Sequence, residues 1–218
     1  MLTTIFFDLD DTLYPASSGL WMEIKERMNV YMRERMGFPP EQIPYLREKY
    51  FREYGTTLRG LMAYHHVDEA DFLAFVHDLP LDRYLAPDPG LRAVIGSLPT
   101  RNLVFTNADS GHAGRVISAL GLDGLFEAVV DVVAVAPYCK PNPEAFGIAM
   151  RLAGESDPSR CLMIDDQLRT VKAARDLGML SLLIADRPSD EADFTLSRLH
   201  DLPFVLNGRL LDPRVRRT

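Results

Sequence analysis

Three carboxylates fall within four residues near the start of the chain, at Asp8, Asp10 and Asp11. Residues two apart on an extended chain point the same way, which puts the carboxylates of Asp8 and Asp10 roughly 6–7 Å apart. Two negative charges at that distance repel by about 2.5 kcal/mol if the effective dielectric constant is about 20. Such a pair is tolerated when a cation bridges it or when one carboxyl holds a proton. The spacing therefore predicts a metal site or an acid–base pair, with Asp11 on the opposite side and outside the chemistry.

A second acidic pair, Asp165-Asp166, follows another apolar run. An EF-hand is excluded, because that loop requires Gly at its sixth position and Glu at its twelfth, and counting from Asp8 those positions hold Leu13 and Gly19. Taken alone, Asp165-Asp166 also fits a helix N-cap. Together with the first pair, it offers the hard oxygen ligands that suit Mg²⁺, which prefers few carboxylates, waters and phosphate oxygens.

Thr106 and Asn107 supply a hydroxyl and an amide at the end of a third apolar run. A helix predicted from Ser110 would direct its free N–H groups and positive end to the same region, which is typical of an anion site; helix capping is the alternative role. Lys140 precedes Pro141, which restricts the backbone. A rigidly held ammonium there can balance the carboxylates and a transferring phosphoryl group.

Short apolar runs must position these side chains, at residues 4–8, 102–107, 128–133, 161–166 and 180–184. Unbroken runs of this kind are typical of strands buried on both faces of a parallel sheet. Helix-period segments separate them, at residues 110–120, 143–152 and 168–177. This alternation predicts a doubly wound α/β domain, in which ligands bind beyond the carboxyl ends of the strands. The polar clusters described above lie at that edge.

Residues 15–87 break the alternation. Helical spacing begins at Leu20, and further helices are predicted over residues 43–54, 57–65 and 69–78, the last with Asp68 as its N-cap. A helical block inserted after the first strand would cover the carboxyl edge of the sheet. We therefore expect an α/β core domain of residues 1–14 and 88–218 and an inserted helical cap domain of residues 15–87.

The composition is that of an ordinary globular protein, with 218 residues, 47% hydrophobic and 25% charged, and a formal net charge of −7. This charge argues against nucleic acid as a partner, and the basic segment 214–217 is too short to reverse that. No apolar run reaches the roughly 20 residues that span a bilayer, and no signal peptide is evident. Two cysteines, Cys139 and Cys161, make neither a disulfide framework nor a zinc site. We expect a cytoplasmic protein whose partner is a small molecule; its oligomeric state is left open.

Four motifs occur in order: DLDDT at residues 8–12, FTN at 105–107, KPNP at 140–143 and IDD at 164–166. Together they resemble the haloacid dehalogenase (HAD) superfamily, whose Rossmann-like core carries an inserted cap. The resemblance implies that Asp8 is a nucleophile that forms an aspartyl-phosphate, and that Asp10 is the acid and base. It further implies a catalytic and phosphate-binding Lys140, phosphate contacts from Thr106 and Asn107, and a Mg²⁺ site formed by Asp8, Asp10 (through its backbone carbonyl), Asp165 and Asp166.

Two positions bear on which member of the superfamily this is. Many relatives carry an acid four residues after the first metal aspartate, where this chain has Arg169, so which of Asp165 and Asp166 binds the metal directly stays open. Dehalogenases of the superfamily lack the acid two residues after the nucleophile. Because Asp10 is present, a phosphatase is favoured.

Three segments, at residues 6–21, 53–61 and 79–92, more narrowly resemble pyrimidine 5′-nucleotidases. That resemblance implies a Mg²⁺-dependent phosphatase acting on a pyrimidine nucleoside 5′-monophosphate, with Tyr54, Thr57 and Arg59 of the cap facing the nucleoside. The alternative for Tyr54 is simple packing in the cap core. The alternative functions are a generic or sugar-phosphate HAD phosphatase and a HAD-like binding module without catalysis.

Overall fold

The computed structural model of the protein describes residues 2–206; Met1 and residues 207–218, with the basic segment 214–217, lie outside the described residues. Six strands form one sheet: β1 (Thr4–Phe7), β2 (Arg101–Phe105), β3 (Ala128–Val130), β4 (Cys161–Asp165), β5 (Leu180–Ile184) and β6 (Phe194–Leu196). Their order is β3-β2-β1-β4-β5-β6, and every neighbouring pair is parallel. The predicted doubly wound α/β fold is confirmed.

The helices of the alternating part, numbered after the four helices of the inserted segment, are α5 (Pro89–Gly96), α6 (Ser110–Ala119), α7 (Pro143–Leu152), α8 (Leu168–Asp176) and α9 (Leu202–Val205). Successive side chains of β1 point to opposite faces of the sheet. Phe7 lies in an apolar cluster with residues of α5 and α6, whereas Phe6 lies in a second cluster with residues of α7 and α8. Helices therefore cover both faces, which explains why the strands are apolar on both sides.

Four helices lie between β1 and α5: α1 (Leu20–Glu34), α2 (Ile43–Tyr54), α3 (Thr57–Tyr64) and α4 (Glu69–Val76). They share a third apolar cluster that contains Tyr31, Tyr50, Leu61 and Phe72. Asp68 caps α4 as predicted, since its side chain accepts a hydrogen bond from the Asp71 backbone N–H. Val132 and Cys139 of the core also belong to this cluster, and Leu20 and Ile24 of α1 pack with the core. The division into core and cap at residues 14/15 and 87/88 therefore remains our proposal.

The observed elements differ from the predicted ones mainly in length. Strand β3 ends at Val130, because the Asp131 carboxylate accepts hydrogen bonds from the backbone N–H groups of Ser110 and Ala134 and starts a turn. Neither α5 nor the edge strand β6, three half-buried residues long, was predicted. Within residues 2–206, no helix combines the length and the hydrophobicity that a membrane span requires.

Candidate active site

The register of the three central strands brings the first two polar clusters together. Phe7 of β1 lies opposite Val104 of β2 and Ile164 of β4. The next residue, Asp8, therefore leaves the sheet beside the end of β4, and its backbone N–H donates to Ile164 O at 2.8 Å. Asp8 and Asp165 are thus neighbours at the carboxyl edge, and the predicted convergence of strand ends is observed.

Lys140 reaches this edge from the loop before α7. Its Nζ lies 2.7 Å from Asp8 Oδ1 and 2.7 Å from Asp165 Oδ2, and its side chain is 3% exposed. Burial alone would lower the pKa of Lys140, but the charges of Asp165 and Asp8 outweigh it and raise that pKa. The ammonium is therefore a fixed positive charge between two carboxylates.

The side-chain oxygens of Asp8, Asp165 and Asp166 include a set that lies within 4.8 Å of one another. Burial raises the pKa of Asp8 well above its usual value; the charge of Lys140 opposes this without reversing it, and the charges of Asp165 and Asp166 add to the rise. Burial and the charge of Asp165 likewise raise the pKa of Asp166 to about 7. Three acids with one lysine leave an excess of negative charge, and this all-oxygen donor set fits a hard divalent cation.

The two adjacent aspartates differ in the contacts that they already make. Asp165 Oδ1 accepts a hydrogen bond from the Gln167 backbone N–H at 2.8 Å, while Oδ2 is paired with Lys140. Asp166 is bonded through Oδ2 alone, by the side-chain amide of Gln167. Asp166 Oδ1 is therefore the carboxylate oxygen of the pair with no protein hydrogen bond among the described residues.

Asp10 turns away from the acidic cluster. Its Oδ1 accepts a hydrogen bond from Tyr14 Oη at 2.6 Å and lies 3.3 Å from His112 Nε2. Burial alone would raise the pKa of Asp10, but the contacts with His112 and Tyr14 reverse this and lower it. The Asp10 carboxylate is not in the metal-ligating group of three. Its part in the predicted metal site thus rests on its backbone carbonyl alone.

Asp11 does not alternate to the far side as expected. Strand β1 ends at Phe7, and Asp11 has a left-handed backbone with φ of 57°, so the extended-chain geometry used in that prediction does not apply. Asp11 lines the same cavity as Asp8 and Asp10. Burial and the neighbouring charge of Asp10 raise its pKa to about 6.

Thr106 and Asn107 lie at the end of β2 and line the cavity with Asp8. Thr106 is buried, and its hydroxyl accepts a hydrogen bond from the Ala108 backbone N–H at 3.0 Å. The side-chain amide of Asn107 is bonded on both sides to the backbone of Lys140. Asn107 therefore positions Lys140 through its Oδ1 and one N–H of its amide, and its predicted contact with phosphate, for which the second N–H is available, stays a prediction.

The cavity has a volume of about 450 Å³ and extends from the carboxylates into the cap. Of the three residues predicted to face a substrate there, Thr57 lines the cavity and the other two do not. Tyr54 packs edge-on against Tyr64. Arg59 is buried, pairs with Glu69 at 2.7 Å, and donates to main-chain oxygens of the core. The geometry supports a structural role for Tyr54 and Arg59.

Other cap residues, which the sequence did not single out, form the wall in their place: Trp21, Lys25 and Met28 of α1, Arg47 and Phe51 of α2, and Leu73 and Val76 of α4. Trp21, Lys25 and Met28 are spaced by four and three residues, so they share one helix face. Arg47 is held from α1, since its Nη1 donates to Asn29 Oδ1 at 2.6 Å and to Lys25 O at 3.1 Å. Helical spacing predicted α1, but it did not indicate which face of the helix meets the cavity.

Arg169, which replaces an acid common among relatives, ties the core to the cap. It donates to the backbone oxygens of Phe51 at 2.7 Å and Gly55 at 2.6 Å, and its guanidinium carbon lies 3.4 Å from the centre of the Phe51 ring. Gly55 itself has φ of 87°, and a Cβ there would lie 2.9 Å from Lys140 O. The end of α2 is thus fixed against the loop that carries Lys140.

Known proteins give an independent comparison. The chain is 31% identical over 188 residues to Phosphate metabolism protein 8 of Saccharomyces cerevisiae, an alignment that covers 80% of this chain and 59% of that protein. It thus spans about three fifths of the yeast protein's length. It is also 27% identical over 217 residues to a phosphoglycolate phosphatase of Caulobacter vibrioides, covering 92% of this chain and 89% of that protein.

Among solved structures, the HAD hydrolase YfnB of Bacillus subtilis, determined with bound magnesium, superposes with a TM-score of 0.65 at 16% identity, over 94% of this chain and 99% of that one. At that identity the superposition supports the fold alone. The family described as haloacid dehalogenase-like hydrolase matches residues 2–178, which include every motif discussed above. The chain therefore belongs to the haloacid dehalogenase-like hydrolases.

Proposed function

We propose that this hydrolase is a Mg²⁺-dependent phosphatase that transfers the phosphoryl group of a small phosphomonoester first to Asp8 and then to water. The observation that carries the proposal is the bridge formed by Lys140 Nζ, 2.7 Å from both Asp8 and Asp165, in a cavity that Asp10 and Thr106 also line. A buried carboxylate beside a fixed ammonium is suited to attack phosphorus while the added negative charge is stabilised.

The reaction consists of two displacements. A carboxylate oxygen of Asp8 attacks phosphorus, the ester P–O bond breaks, and the leaving oxygen takes its electron pair and a proton from Asp10. Water then attacks the aspartyl-phosphate, Asp10 takes a proton from that water, and the bond between phosphorus and Asp8 breaks. The ammonium of Lys140 and the hydroxyl of Thr106 hold the phosphoryl oxygens through both steps.

Asp8 and Asp166, supported by Asp165, would hold the Mg²⁺ ion, together with the backbone carbonyl of Asp10. When bound, Mg²⁺ neutralises the excess charge of the carboxylates and withdraws charge from the phosphoryl oxygens. We propose Asp166 as a direct ligand because its Oδ1 has no hydrogen bond among the described residues, whereas both oxygens of Asp165 are engaged.

The finer part of the proposal is that the substrate is a pyrimidine nucleoside 5′-monophosphate. It rests on the resemblance of segments 6–21, 53–61 and 79–92 to nucleotidases, and the composition of the cavity wall supports it. Trp21 and Phe51 offer aromatic surface to a planar base, and Lys25 and Arg47 offer donors to its carbonyl oxygens. In this arrangement the base contacts come from α1 and α2, with Thr57 as the remaining contact of the three first predicted.

A phosphate-release screen of the purified protein across nucleoside monophosphates and sugar phosphates, with Mg²⁺ and with a chelator, tests both parts. We expect turnover only with Mg²⁺ and a preference for uridine and cytidine monophosphates. A flat profile would reject the nucleotide and leave a generic phosphatase. No release from any substrate would overturn the catalytic proposal in favour of a binding module. Asp8→Asn serves as the matched control, and substantial activity in that variant would remove Asp8 as the nucleophile.

A further inference from the structure

One oxygen of the Asp10 carboxyl is held by the protein and the other is not. Oδ1 receives Tyr14 Oη at 2.6 Å and His112 Nε2 at 3.3 Å. Oδ2 forms no hydrogen bond within residues 2–206, and Asp10 lines the cavity with its side chain 15% exposed. The two oxygens of one carboxyl therefore have different surroundings: Oδ1 has two protein donors, whereas Oδ2 has none among the described residues, in a side chain that lines the cavity.

The side chain of His112 has a single polar contact among the described residues, the one with Asp10. It is fully buried, and its Nδ1 has no hydrogen-bond partner among the described residues. A buried imidazole without a partner on one nitrogen costs free energy, so the contact of the other nitrogen with Asp10 has to account for its position. Because Asp10 Oδ1 is an acceptor, we assign the proton of His112 to Nε2, where it points at that oxygen.

His77 fixes the ring of His112 from the cap side. The two imidazoles are stacked, with centroids 4.2 Å apart and planes 15° from parallel. His77 is itself anchored to the core, since its Nδ1 lies 2.5 Å from Asp109 Oδ2 and its backbone oxygen accepts from Arg115 at 2.8 Å. The stack prevents the His112 ring from rotating away from Asp10.

We propose that His112 is a positioning residue for the acid–base group, and that together with Tyr14 it holds Asp10 Oδ1 so that the exchanged proton is carried on Oδ2. This inference rests on the proposed phosphatase function. His112 does not touch the reacting atoms; it acts through Asp10.

The proton balance follows from this arrangement. In the first displacement the proton moves from Asp10 Oδ2 to the leaving oxygen as the P–O bond breaks, and the two donors stabilise the resulting carboxylate at Oδ1. In the second displacement Oδ2 takes a proton from the attacking water, and the P–O bond to Asp8 breaks. The two steps involve no oxidation or reduction, and Asp10 is the only proton carrier that they require.

The experiment compares two substrates that differ in their need for an acid. An alkyl phosphate such as glycerol 2-phosphate requires protonation of its leaving oxygen, whereas p-nitrophenyl phosphate releases a stable anion. The variants are Tyr14→Phe and His112→Leu, which remove one donor each, and His112→Gln, whose amide can still donate to Asp10. Val116→Ala, a buried change on the same helix, is the control for general loosening of the fold.

For Tyr14→Phe and His112→Leu we expect kcat on the alkyl phosphate to fall by roughly 10- to 100-fold. With p-nitrophenyl phosphate, the first turnover stays fast while hydrolysis of the aspartyl-phosphate slows. A burst of p-nitrophenol therefore appears, and the ratio of first-turnover rate to steady-state rate rises about 10-fold. His112→Gln should recover most of the alkyl phosphate activity. Thermal unfolding of each variant identifies any that fail to fold, and Tyr14→Phe, the smallest change, then carries the test.

Three results would overturn the inference while the proposed function stands: unchanged kcat on the alkyl phosphate in both donor-deletion variants, equal losses on the two substrates without a burst, or the same pattern in Val116→Ala. The nucleoside monophosphate preferred in the screen, itself an alkyl phosphate, replaces glycerol 2-phosphate if the wild type does not hydrolyse the latter. A wild-type protein that releases phosphate from no substrate of the screen would overturn the proposed function, and this inference with it.

Discussion

The side-chain amide of Asn107 forms two hydrogen bonds with the backbone of Lys140: its Nδ2 donates to Lys140 O at 3.0 Å, and Lys140 N donates to its Oδ1 at 2.9 Å. The end of β2 thereby determines where the loop before α7 holds its lysine. The short distances from Lys140 to Asp8 and Asp165 depend on this backbone contact as much as on charge.

Replacing Asn107 by Ala should reduce kcat by about 10-fold and the free energy of unfolding by about 1–2 kcal/mol, because two partly buried hydrogen bonds are lost and the lysine backbone is released. Steady-state kinetics and urea unfolding give the two quantities. Asn142→Ala is the matched control, since Asn142 is a side-chain amide of the same loop that contacts Cys139. If Asn107→Ala retains the wild-type kcat, the position of Lys140 does not depend on its hydrogen bonds with Asn107.

Mg²⁺ should stabilise the wild-type protein against urea by about 2.7 kcal/mol when free Mg²⁺ is 100 times its dissociation constant, since only the folded chain gathers the three carboxylates. Asp166→Asn should lose most of this stabilisation, whereas Asp11→Asn, a change of the same type in the same cavity, should retain it. Calorimetric titration with Mg²⁺ gives the affinities directly. Equal Mg²⁺ affinity in Asp166→Asn and wild type would remove Asp166 from the ligand set.

Replacing Arg169 by Ala should loosen the end of α2, because the variant loses two charged hydrogen bonds to main-chain oxygens and the contact with the Phe51 ring. We expect faster amide hydrogen exchange in residues 51–58 and a several-fold higher KM, with the core strands unaffected. Lys172→Ala, an exposed change on the same helix, should leave the exchange rates as they are. Unchanged exchange at residues 51–58 in Arg169→Ala would show that the apolar contacts of the cap suffice.

Acid should destabilise the protein partly through His77. Burial lowers the pKa of His77, and the stacked His112 adds to this, while Asp109 and Asp10 act in the opposite direction without reversing it. Its folded-state pKa thus lies below its unfolded value of about 6.5, so the unfolded chain takes up the proton first and stability falls as pH drops below that value.

His77→Gln should therefore show a shallower loss of unfolding free energy between about pH 7.5 and about pH 5.5 than the wild type. Urea unfolding across that range measures the slope. His66→Gln, an exposed histidine of the cap, is the control and should follow the wild-type slope. If the unfolding free energy of His77→Gln falls with pH as steeply as that of the wild type, groups other than His77 cause the acid sensitivity.

The fold and the convergence of the strand ends could be predicted because strands such as residues 161–165 are apolar on both faces, a pattern that few other structures require. Strand β6 was not predicted, because a strand of three half-buried residues is too short to show a periodic pattern of apolar residues. The wall of the cavity could not be assigned either. Tyr54 and Arg59 have the side chains of substrate contacts, and only the packing of α2 and α3 reveals that they face neighbouring protein.

The stacking of His77 on His112 could not be predicted from the sequence, for a different reason. His77 and His112 are 35 positions apart, and no spacing rule relates a residue that ends a cap helix to one in the first turn of a core helix. Their contact exists only because α6 begins at the same sheet edge that the cap covers. Pairings of this kind depend on the three-dimensional path of the chain, which local sequence does not encode.

Arg59 and Arg169 cross between cap and core in opposite directions, and in the other part each donates to main-chain oxygens: Arg59 to Val132 and Tyr138, Arg169 to Phe51 and Gly55. Every residue type provides a carbonyl. A substitution at Val132 or Tyr138 therefore leaves the acceptors of Arg59 in place, and one at Phe51 leaves both acceptors of Arg169 although it removes the ring contact, whereas loss of either arginine removes its tether entirely. A chimera that exchanges the cap for another should dock provided that it brings an arginine at the position of Arg59 and a glycine at that of Gly55, with wide freedom at the other contact positions.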